Sequence, residues 1–446
     1  MATVDERPAA NLLRVLGLAF GLAVVVGGVV GQGILRTPGI VAGAVPDPTL
    51  ILLLWLLGGL MIAIDACVWA ELGSSIPCTG GPYVLARRTY GETTGIVVGW
   101  ADWLTNMLVI SFLSVVFGEY CQRLGIGTDW PIAALSLSLI AVCWAINWTG
   151  TRISGFSQTL FSAAKGLVLT TFVIMLFVMP PIEPPAMSPA TGETSMLPLL
   201  GAAALLVAMS NIINTYSGWP GSVYFGEEIV DPQRNIARSL LGGVLLVGIL
   251  YLSVNAALLH VLTPEEMGKS ILPVGDAMGR ILGPRADTVV NGLALLSVGA
   301  SANLYLMFTS RIGFAMARDG VVPRYFEKTS ATGTPRRALA AVAIGSGIAA
   351  ASGTYLELIA MAIPLTASVV AAMDVAAIVM RRKEPDLPRP FKMPLFPLPA
   401  LIGLALNLSL LTALIITDPW HASAGLGAAV ILGIIYAVFR RRALTS

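Results

Sequence analysis

Three observations on the sequence predict an all-α integral membrane protein. Of its 446 residues, 56% are hydrophobic and only 12% are charged, whereas an ordinary soluble domain has about 25% charged residues. Apolar runs of roughly 20 residues or more recur along the whole chain, and each is long enough to cross a hydrocarbon core as a helix. Two of these runs are interrupted by glycine and proline at corresponding positions of the two halves of the chain, which points to a shared site within the membrane.

About twelve apolar runs are present, and we number them spans 1 to 12. They cover residues 15–43, 49–76, 93–124, 130–149, 157–180, 198–227, 236–262, 285–318, 337–352, 354–381, 396–417 and 421–440. Because only short loops separate the spans, the sequence predicts one membrane domain and no soluble domain. Short tails flank it at residues 1–14 and 441–446.

The distribution of basic residues predicts the orientation of the chain. Of the 27 Lys and Arg residues, 21 lie in segments that face the cytoplasm if the N-terminus is cytoplasmic, and four lie in the opposite segments. Arg36 and Lys165 lie within spans. This asymmetry predicts a multi-pass protein of the cell (inner) membrane with both termini cytoplasmic. The first 14 residues lack the features of a signal peptide, so we expect the N-terminus to be retained.

The cysteines and histidines argue against metal or enzymatic chemistry. The four cysteines, at positions 67, 78, 121 and 143, are scattered without a CxxC pair, and the two histidines, His260 and His421, lie far apart. A metal centre or an enzyme active site would need a cluster of such groups at depth. We therefore expect no metal, no cofactor, no enzymatic activity and no nucleic-acid partner. Membrane lipids and a small molecule are the expected partners.

Span 1 is broken at mid-membrane depth by the segment Val29-Val30-Gly31-Gln32-Gly33-Ile34-Leu35-Arg36-Thr37-Pro38. Hydrocarbon offers no hydrogen-bond partners, so a broken helix persists there only where a ligand, water or protein satisfies the freed backbone groups. The segment therefore predicts half of a binding site. The alternative is that Gly31 and Gly33 are small residues at a helix–helix contact.

Span 6 carries a second break at Ser217-Gly218-Trp219-Pro220, about 186 residues after the first. Paired breaks in the two halves of a membrane protein indicate a site formed by inverted repeats. The repeats would be spans 1 to 5, at residues 15–180, and spans 6 to 10, at residues 198–381. Spans 11 and 12, at residues 396–440, would be additions.

The chemistry of helix ends predicts what the breaks bind. Backbone N–H groups that begin the outer half of span 1 would lack helical partners at the positive end of the helix dipole, which suits a carboxylate. Backbone carbonyls beside the breaks would accept hydrogen bonds from an ammonium group, so the predicted ligand is an α-amino acid zwitterion. The candidate contacts are Val29, Gly31, Gln32, Gly33, Ile34, Asn214, Thr215, Tyr216, Ser217 and Gly218.

Five sequence segments carry a more specific signal. They are GQGILRTPG at 31–39, AELGSSIPCTGGPY at 70–83, YSGW at 216–219 with the acidic and basic residues up to Asn235, ARDG at 317–320 after Ser310-Arg311, and RRKEPDLPRP at 381–390. The second alone is explained by turn chemistry. Together and in this order, they resemble amino-acid permeases of the amino acid-polyamine-organocation (APC) superfamily, above all its L-type amino-acid transporter branch. The resemblance implies a five-plus-five inverted repeat with broken helices 1 and 6, and amino-acid transport.

Two positions differ from the pattern of the L-type branch. Relatives there carry a small residue where this chain has Gln32, and an aromatic gate where it has Asn214. We therefore interpret the pocket as polar. Tyr216 and Trp219 remain candidates to close the site, although an aromatic residue in a membrane helix ordinarily serves packing.

Lys165 lies eight residues into span 5, and an ionisable residue at that depth is a functional hypothesis by default. In members of the resembled family, a lysine here occupies the position that a sodium ion takes in sodium-coupled relatives. Its ammonium is predicted to bridge carbonyls near Gly31 to span 8 through Ser297 or Ser301, in a gating or coupling role. The alternative is a fixed structural cation.

Other charged residues carry less specific expectations. An acid within or at the end of a span needs a partner or water. Four such acids are present: Asp65, Asp102, Glu119 and Asp374. Three interpretations stay open for them: a proton relay, recognition of a cationic substrate, and local pairing inside the bundle. The acids after span 6 would pair with Arg234 and Arg238 in the cytoplasm or latch an inner gate; they are Glu227, Glu228 and Asp231.

The sequence thus predicts a secondary active transporter of neutral L-amino acids that works by alternating access, as an exchanger or a proton-linked uptake system. A polyamine or cationic amino-acid antiporter is one alternative. A channel is another, although no carbonyl filter or ring of like charges is visible. Animal L-type members pair with a glycoprotein chain through a cysteine after span 3. Because the loop at 123–130 has none and Cys121 is the nearest, we expect a bacterial-type permease without an obligate heavy-chain subunit.

Overall fold

The computed structural model describes residues 12–31, 33–179 and 202–445, and within these ranges it contains helices and no β-strand. The α-helices are α1 (Leu18–Val29), α2 (Gly33–Ala44), α3 (Pro48–Ser75), α4 (Pro82–Tyr90), α5 (Glu92–Arg123), α6 (Ile132–Trp148), α7 (Thr151–Val178), α8 (Ala202–Thr215), α9 (Pro232–Val261), α10 (Pro264–Lys269), α11 (Pro273–Leu282), α12 (Ala286–Arg318), α13 (Arg336–Ser352), α14 (Tyr355–Lys383), α15 (Leu398–Thr417) and α16 (Pro419–Thr445). Short 3-10 turns lie at Trp219–Tyr224, Gly283–Arg285 and Arg324–Glu327. The predicted all-α fold class is confirmed.

Within the described residues, each of the twelve predicted spans corresponds to helical structure. Eight helices are long and apolar enough to cross a membrane, or nine if α1 and α2, which meet at 44°, count as one bent span. The short helices α4, α10 and α11 have 9, 6 and 10 residues. Apolar runs of about 20 residues do not reveal them, because each is too short to cross a membrane. The boundaries of the two inverted repeats stay a prediction.

Side-chain caps determine where several helices begin. The Asp47 carboxylate accepts a hydrogen bond of 2.6 Å from the Leu50 N–H at the start of α3. At the start of α14, the Thr354 hydroxyl accepts from the Glu357 N–H, and the Glu357 carboxylate accepts from the Thr354 N–H in return. Such caps satisfy N–H groups that have no helical partner, so each of these helices begins at a defined residue.

The two helix breaks lie at the centre of the bundle. α1 packs against α7, α9, α12 and the 3-10 turn at 219–224, and α12 also packs against α5. α15 lies at the periphery, where Leu401, Leu408 and Ile416 are exposed. Apolar side chains on such a surface face lipid, whereas the freed backbone of the breaks is surrounded by protein, as a membrane requires.

Ion pairs, one of them fully buried, join helices at the end of the bundle that carries α4. We call this end the inner end, following the predicted orientation. Arg311 of α12 donates to both carboxylate oxygens of Glu228 at 2.9 Å, and both side chains are buried. Arg318 of α12 donates to both oxygens of Glu227 at 2.9 and 3.0 Å. These two pairs tie the segment after the second break to α12.

Further ion pairs join other helices at the inner end. Arg381 of α14 donates to the Glu71 carboxylate of α3 at 2.7 and 2.5 Å. Arg88 of α4 donates to Glu384, just after α14, at 3.0 and 2.6 Å. Hydrogen bonds from Arg88 hold the pKa of the Glu384 carboxyl below its usual range. The inner ends of α3, α4 and α14 are therefore held together.

The predicted pairing of Glu227 and Glu228 with Arg234 and Arg238 is wrong. Glu227 and Glu228 pair across the bundle with α12, and Arg234 lies 3.9 Å from Asp231 in an exposed contact. Sequence proximity suggested Arg234 and Arg238 as partners, but the fold brings α12 closer to the two glutamates.

Candidate functional site

The first break separates α1 from α2. α1 ends at Val29, and the Val30 N–H still donates to the Val26 carbonyl at 2.8 Å. α2 begins at Gly33 and is bent 44° from α1. Gln32 lies outside the described residues, so its role stays a prediction.

The second break begins where α8 ends. Gly218 follows with a φ of +101°, in the left-handed region that favours glycine. A Cβ on Gly218 would lie 2.5 Å from the Gly28 carbonyl oxygen, and a Cβ on Gly28 would lie 2.3 Å from the Gly218 carbonyl oxygen. The two breaks are thus in direct backbone contact.

We expect Gly218→Ala to reduce transport by about tenfold or more, because the alanine is strained at this φ by about 1–3 kcal/mol and its Cβ pushes the two breaks apart. Uptake into liposomes measures the effect at equal amounts of folded protein. Gly166→Ala on α7 is the matched control, since a Cβ there meets nothing within 4 Å. Equal transport by the two variants would show that contact between the breaks is dispensable.

Helices α2 and α8 also meet closely beside the breaks. The Thr37 and Thr215 hydroxyl oxygens lie 2.7 Å apart. A Cβ on Gly33 would lie 2.9 Å from Thr215 Cγ2, whereas a Cβ on Gly31 would meet nothing closer than 3.8 Å. Close packing therefore explains glycine at position 33 but not at position 31.

Tyr251 of α9 reaches two of the carbonyls that the sequence assigns to an ammonium ligand. Its hydroxyl donates to the Val29 carbonyl at 2.8 Å and also lies 3.4 Å from the Thr215 carbonyl oxygen. The Val29 carbonyl therefore already has a protein donor, although it retains a second lone pair. Sequence reasoning missed Tyr251, because a tyrosine in an apolar span does not reveal which backbone group it reaches.

Lys165 of α7 joins the first break to α12. Its ammonium donates to the Gly27 carbonyl at 2.9 Å, to the Val30 carbonyl at 3.0 Å and to the Ser301 hydroxyl at 3.0 Å. The side chain is fully buried. Ser301 also donates to the Gly27 carbonyl at 3.1 Å. Of the two serines considered from the sequence, the structure places Ser301 against the ammonium, and Ser297 is buried elsewhere on α12.

A cavity of about 620 Å³, lined by both apolar and polar side chains, lies beside the two breaks. It extends past Ile40, Tyr355 and Leu414, which lie towards the end of the bundle opposite the inner ion pairs. Trp219 and Phe308 also line it. The volume falls within the range of small-molecule sites, roughly 300–1,000 Å³.

The cavity brings together most of the candidate residues, but not all of them. Those that line it are Val29, Gly31, Gly33, Asn214, Thr215, Ser217, Gly218, Trp219 and Ser301. Ile34 and Tyr216 are almost fully buried and are not among the lining residues. The Tyr216 ring packs 4.9 Å from that of Tyr251 and 6.0 Å from that of Trp55. The structure thus places Tyr216 in an aromatic cluster rather than at the cavity surface.

Two carboxyls and one guanidinium also line the cavity, and the sequence left their roles open. Asp102 accepts hydrogen bonds from the Tyr224 hydroxyl at 2.8 Å and from the Asn106 amide at 2.9 Å. Arg36 lies 5.6 Å from the centre of the Tyr120 ring. Asp65 is the second carboxyl. The cavity therefore offers carboxyl and guanidinium groups to a ligand.

These features define a multi-pass α-helical membrane protein with two broken helices beside a central cavity. A family model described as "Amino acid permease" matches residues 11–439. Because this match covers almost the whole sequence, the chain belongs to the amino acid permease family, within the APC superfamily. The resemblance found in the five sequence segments is confirmed.

Individual relatives extend over nearly the same length. The "Serine/threonine exchanger SteT" of Bacillus subtilis (strain 168) is 26% identical, with 92% of each chain covered. The "Large neutral amino acids transporter small subunit 2" of Mus musculus is 28% identical, over 87% of this chain and 74% of the relative. The "b(0,+)-type amino acid transporter 1" of Mus musculus is 27% identical, over 93% of this chain and 85% of the relative. This is a family of amino acid transporters and exchangers.

Proposed function

We propose that the protein is a secondary transporter that moves small or medium neutral L-amino acids by alternating access. The observation that carries the proposal is the contact between two broken helices beside a cavity that contains polar groups. The first N–H groups of α2, from Gly33 onwards, form the positive end of a helix and suit a substrate carboxylate. The last carbonyls of α8, at the negative end of that helix, suit the substrate ammonium.

The conformational change would move spans 1, 2, 6 and 7 relative to spans 3, 4, 8 and 9. The cavity extends from the breaks past Ile40, Tyr355 and Leu414 towards the end of the bundle away from the inner ion pairs, which supports an assignment of this structure to an outward-facing state. In the inward-facing state, the Glu228–Arg311 and Glu227–Arg318 contacts would separate. Asn214 at the cavity surface supports a polar rather than a large aromatic substrate.

Lys165 supports transport that does not need sodium. Its ammonium already occupies the position among the Gly27 and Val30 carbonyls and the Ser301 hydroxyl. A sodium ion would compete for the same oxygens. We therefore propose exchange or proton-linked uptake, with Lys165 in a coupling role.

We further propose that the chain works without a heavy-chain subunit, in a cell (inner) membrane with both termini cytoplasmic. Residues 124–131, between α5 and α6, contain no cysteine. Cys121 is buried, so its thiol is poorly placed for a disulfide with another chain. The name of the mouse relative marks that protein as a small subunit, whereas the name of the Bacillus relative mentions no subunit.

Purified protein in liposomes is expected to take up a neutral L-amino acid faster when an amino acid is preloaded inside. Exchange predicts this stimulation because a loaded carrier returns to the outer face more readily than an empty one. The measurement is radiolabelled uptake, with competition by the other amino acids in turn. Empty liposomes and liposomes with the Gly218→Ala variant are the controls.

A cationic amino acid or a polyamine is the second candidate substrate. The presence of two carboxyls, Asp65 and Asp102, in the cavity lining favours it. In the same competition experiment, inhibition by polyamines alone would replace the zwitterion model with this one. Uptake that does not saturate with substrate would instead favour a channel.

A further inference from the structure

Asp65 of α3 and Asp374 of α14 form a buried carboxyl pair. Asp65 is 9% exposed, and Asp374 is fully buried. Both side chains face Gly403 of α15, where a Cβ would lie 2.4 Å from Asp65 Oδ1 and 3.0 Å from each carboxyl oxygen of Asp374. The missing side chain of Gly403 therefore leaves the space that the two carboxyls share.

Three of the four carboxyl oxygens of this pair are buried without a hydrogen-bond donor among the described residues. They are Oδ1 of Asp65 and both oxygens of Asp374. Asn407 lies near Asp374, but its amide donates to the Gly403 carbonyl at 2.9 Å. Two adjacent ionised carboxylates repel each other, and each is costly in a membrane interior. A proton on one carboxyl removes one charge and supplies a donor to the other.

The surroundings supply no cation to the pair. The salt bridges of the described residues do not include Asp65 or Asp374, and Arg381 on α14 is committed to Glu71 on α3. Arg36 lies over the Tyr120 ring. Tyr90 of α4 lies near Asp374, but its hydroxyl donates to the Ala372 carbonyl. The helices packed against α3 and α14 carry further titratable groups, among them Asp102 on α5, Tyr251 on α9 and Tyr436 on α16, whereas α15 carries none.

We propose that Asp65 and Asp374 form a proton-binding site that couples proton movement to amino-acid transport. The inference rests on the proposed transport function. Asp65 lines the cavity and Asp374 does not, so a proton enters from cavity water at Asp65 and is shared with Asp374 behind it. A hard metal cation fits less well, because it takes about six oxygen ligands and the Gly403 carbonyl already accepts from Asn407.

The position of the pair explains how a proton could affect the conformation. Asp65 lies on α3, in the group of spans that we propose to move, and Asp374 lies on α14, outside that group. With a proton between them, the carboxyls can stay side by side, as in this structure. When the proton leaves, charge repulsion favours separation of α3 from α14 and α15. A low pH at the cavity side therefore favours the present state.

We compare uptake with about pH 5.5 outside and about pH 7.5 inside the liposomes with uptake at about pH 7.5 on both sides. The first rate is expected to be several-fold higher. If one proton binds per transport cycle, the rate can rise by at most about tenfold per pH unit. The uptake rate of the Asp374→Asn variant should differ by less than about twofold between the same two conditions. It should still exchange amino acids at equal pH, because Asp374 does not line the cavity. A pH-sensitive dye inside the liposomes should report substrate-linked acidification for the wild type and not for the variant.

Asp129→Asn is the matched control, since Asp129 lies in the exposed loop between α5 and α6, and it should keep the wild-type pH response. If Asp374→Asn does not fold, Asp65→Asn carries the same test of pH response and dye signal. A wild-type pH response in the folded variants would overturn the proton site, as would dependence on sodium instead of protons. Absence of amino-acid transport by the wild type under every gradient would instead overturn the proposed function.

Discussion

Lys165→Ala is expected to reduce amino-acid transport at least about tenfold while the protein still folds. The substitution removes three hydrogen bonds from an ammonium group, to the Gly27 and Val30 carbonyls and to Ser301. Hydrogen bonds that involve a charged group contribute about 1.5–3 kcal/mol each, and 1.4 kcal/mol corresponds to a tenfold change. Without them, the end of α1 is no longer fixed against α12. The readout is the initial rate of uptake per folded protein.

Lys269→Ala is the matched control for this prediction. Lys269 pairs with Glu265 on the surface, and both side chains are exposed, so its loss should leave transport unchanged. Size-exclusion chromatography establishes that both variants are folded. Wild-type kinetics in Lys165→Ala would reduce Lys165 to a structural cation and would contradict the coupling role.

Arg311→Met is expected to lower the free energy of unfolding by about 3–5 kcal/mol, the usual cost of leaving one partner of a buried ion pair without the other. Glu228 would remain buried, having lost two hydrogen bonds of 2.9 Å. The loss also removes the Arg311 contacts with the Met307 carbonyl at 2.9 Å and the Thr151 hydroxyl at 3.3 Å. Denaturation in detergent micelles measures the change.

The double substitution Glu228→Gln with Arg311→Met separates charge from packing. It should destabilise the protein less than Arg311→Met alone, because no unpaired charge remains buried. Arg234→Met is the surface control, and we expect a change within about 0.5 kcal/mol because exposed pairs contribute little. If Arg311→Met were no more harmful than Arg234→Met, the Glu228 pair would not stabilise the closed inner end.

The membrane helices and their breaks could be predicted because each leaves a local pattern. A span needs a continuous apolar run, and a break needs glycine or proline within it. Lys165 could also be predicted, because a charge within such a run is rare enough to stand out. The resemblance of the five segments then related the pattern to a family, which the match over residues 11–439 confirms.

Contacts between distant residues could not be predicted in the same way. Glu228 was matched with arginines nearby in sequence, whereas its partner Arg311 lies 83 residues away. Tyr251 and Gly28 gave no local signal, yet one hydrogen-bonds to a carbonyl at the first break and the other touches Gly218. The motif predicts Tyr216 at the cavity, but its ring packs against Trp55 and Tyr251.

The sequence by itself determined the class of the protein, because hydrophobicity, span length and helix interruptions depend only on neighbouring residues. Tertiary structure alone decided which of two serines meets Lys165, which carbonyls at the breaks have protein donors, and that Asp65 and Asp374 share the space beside Gly403. Those outcomes depend on how helices far apart in the chain are rotated and packed against one another. A hydrogen bond forms only within about 3.2 Å, and sequence spacing does not specify distances between helices at that scale.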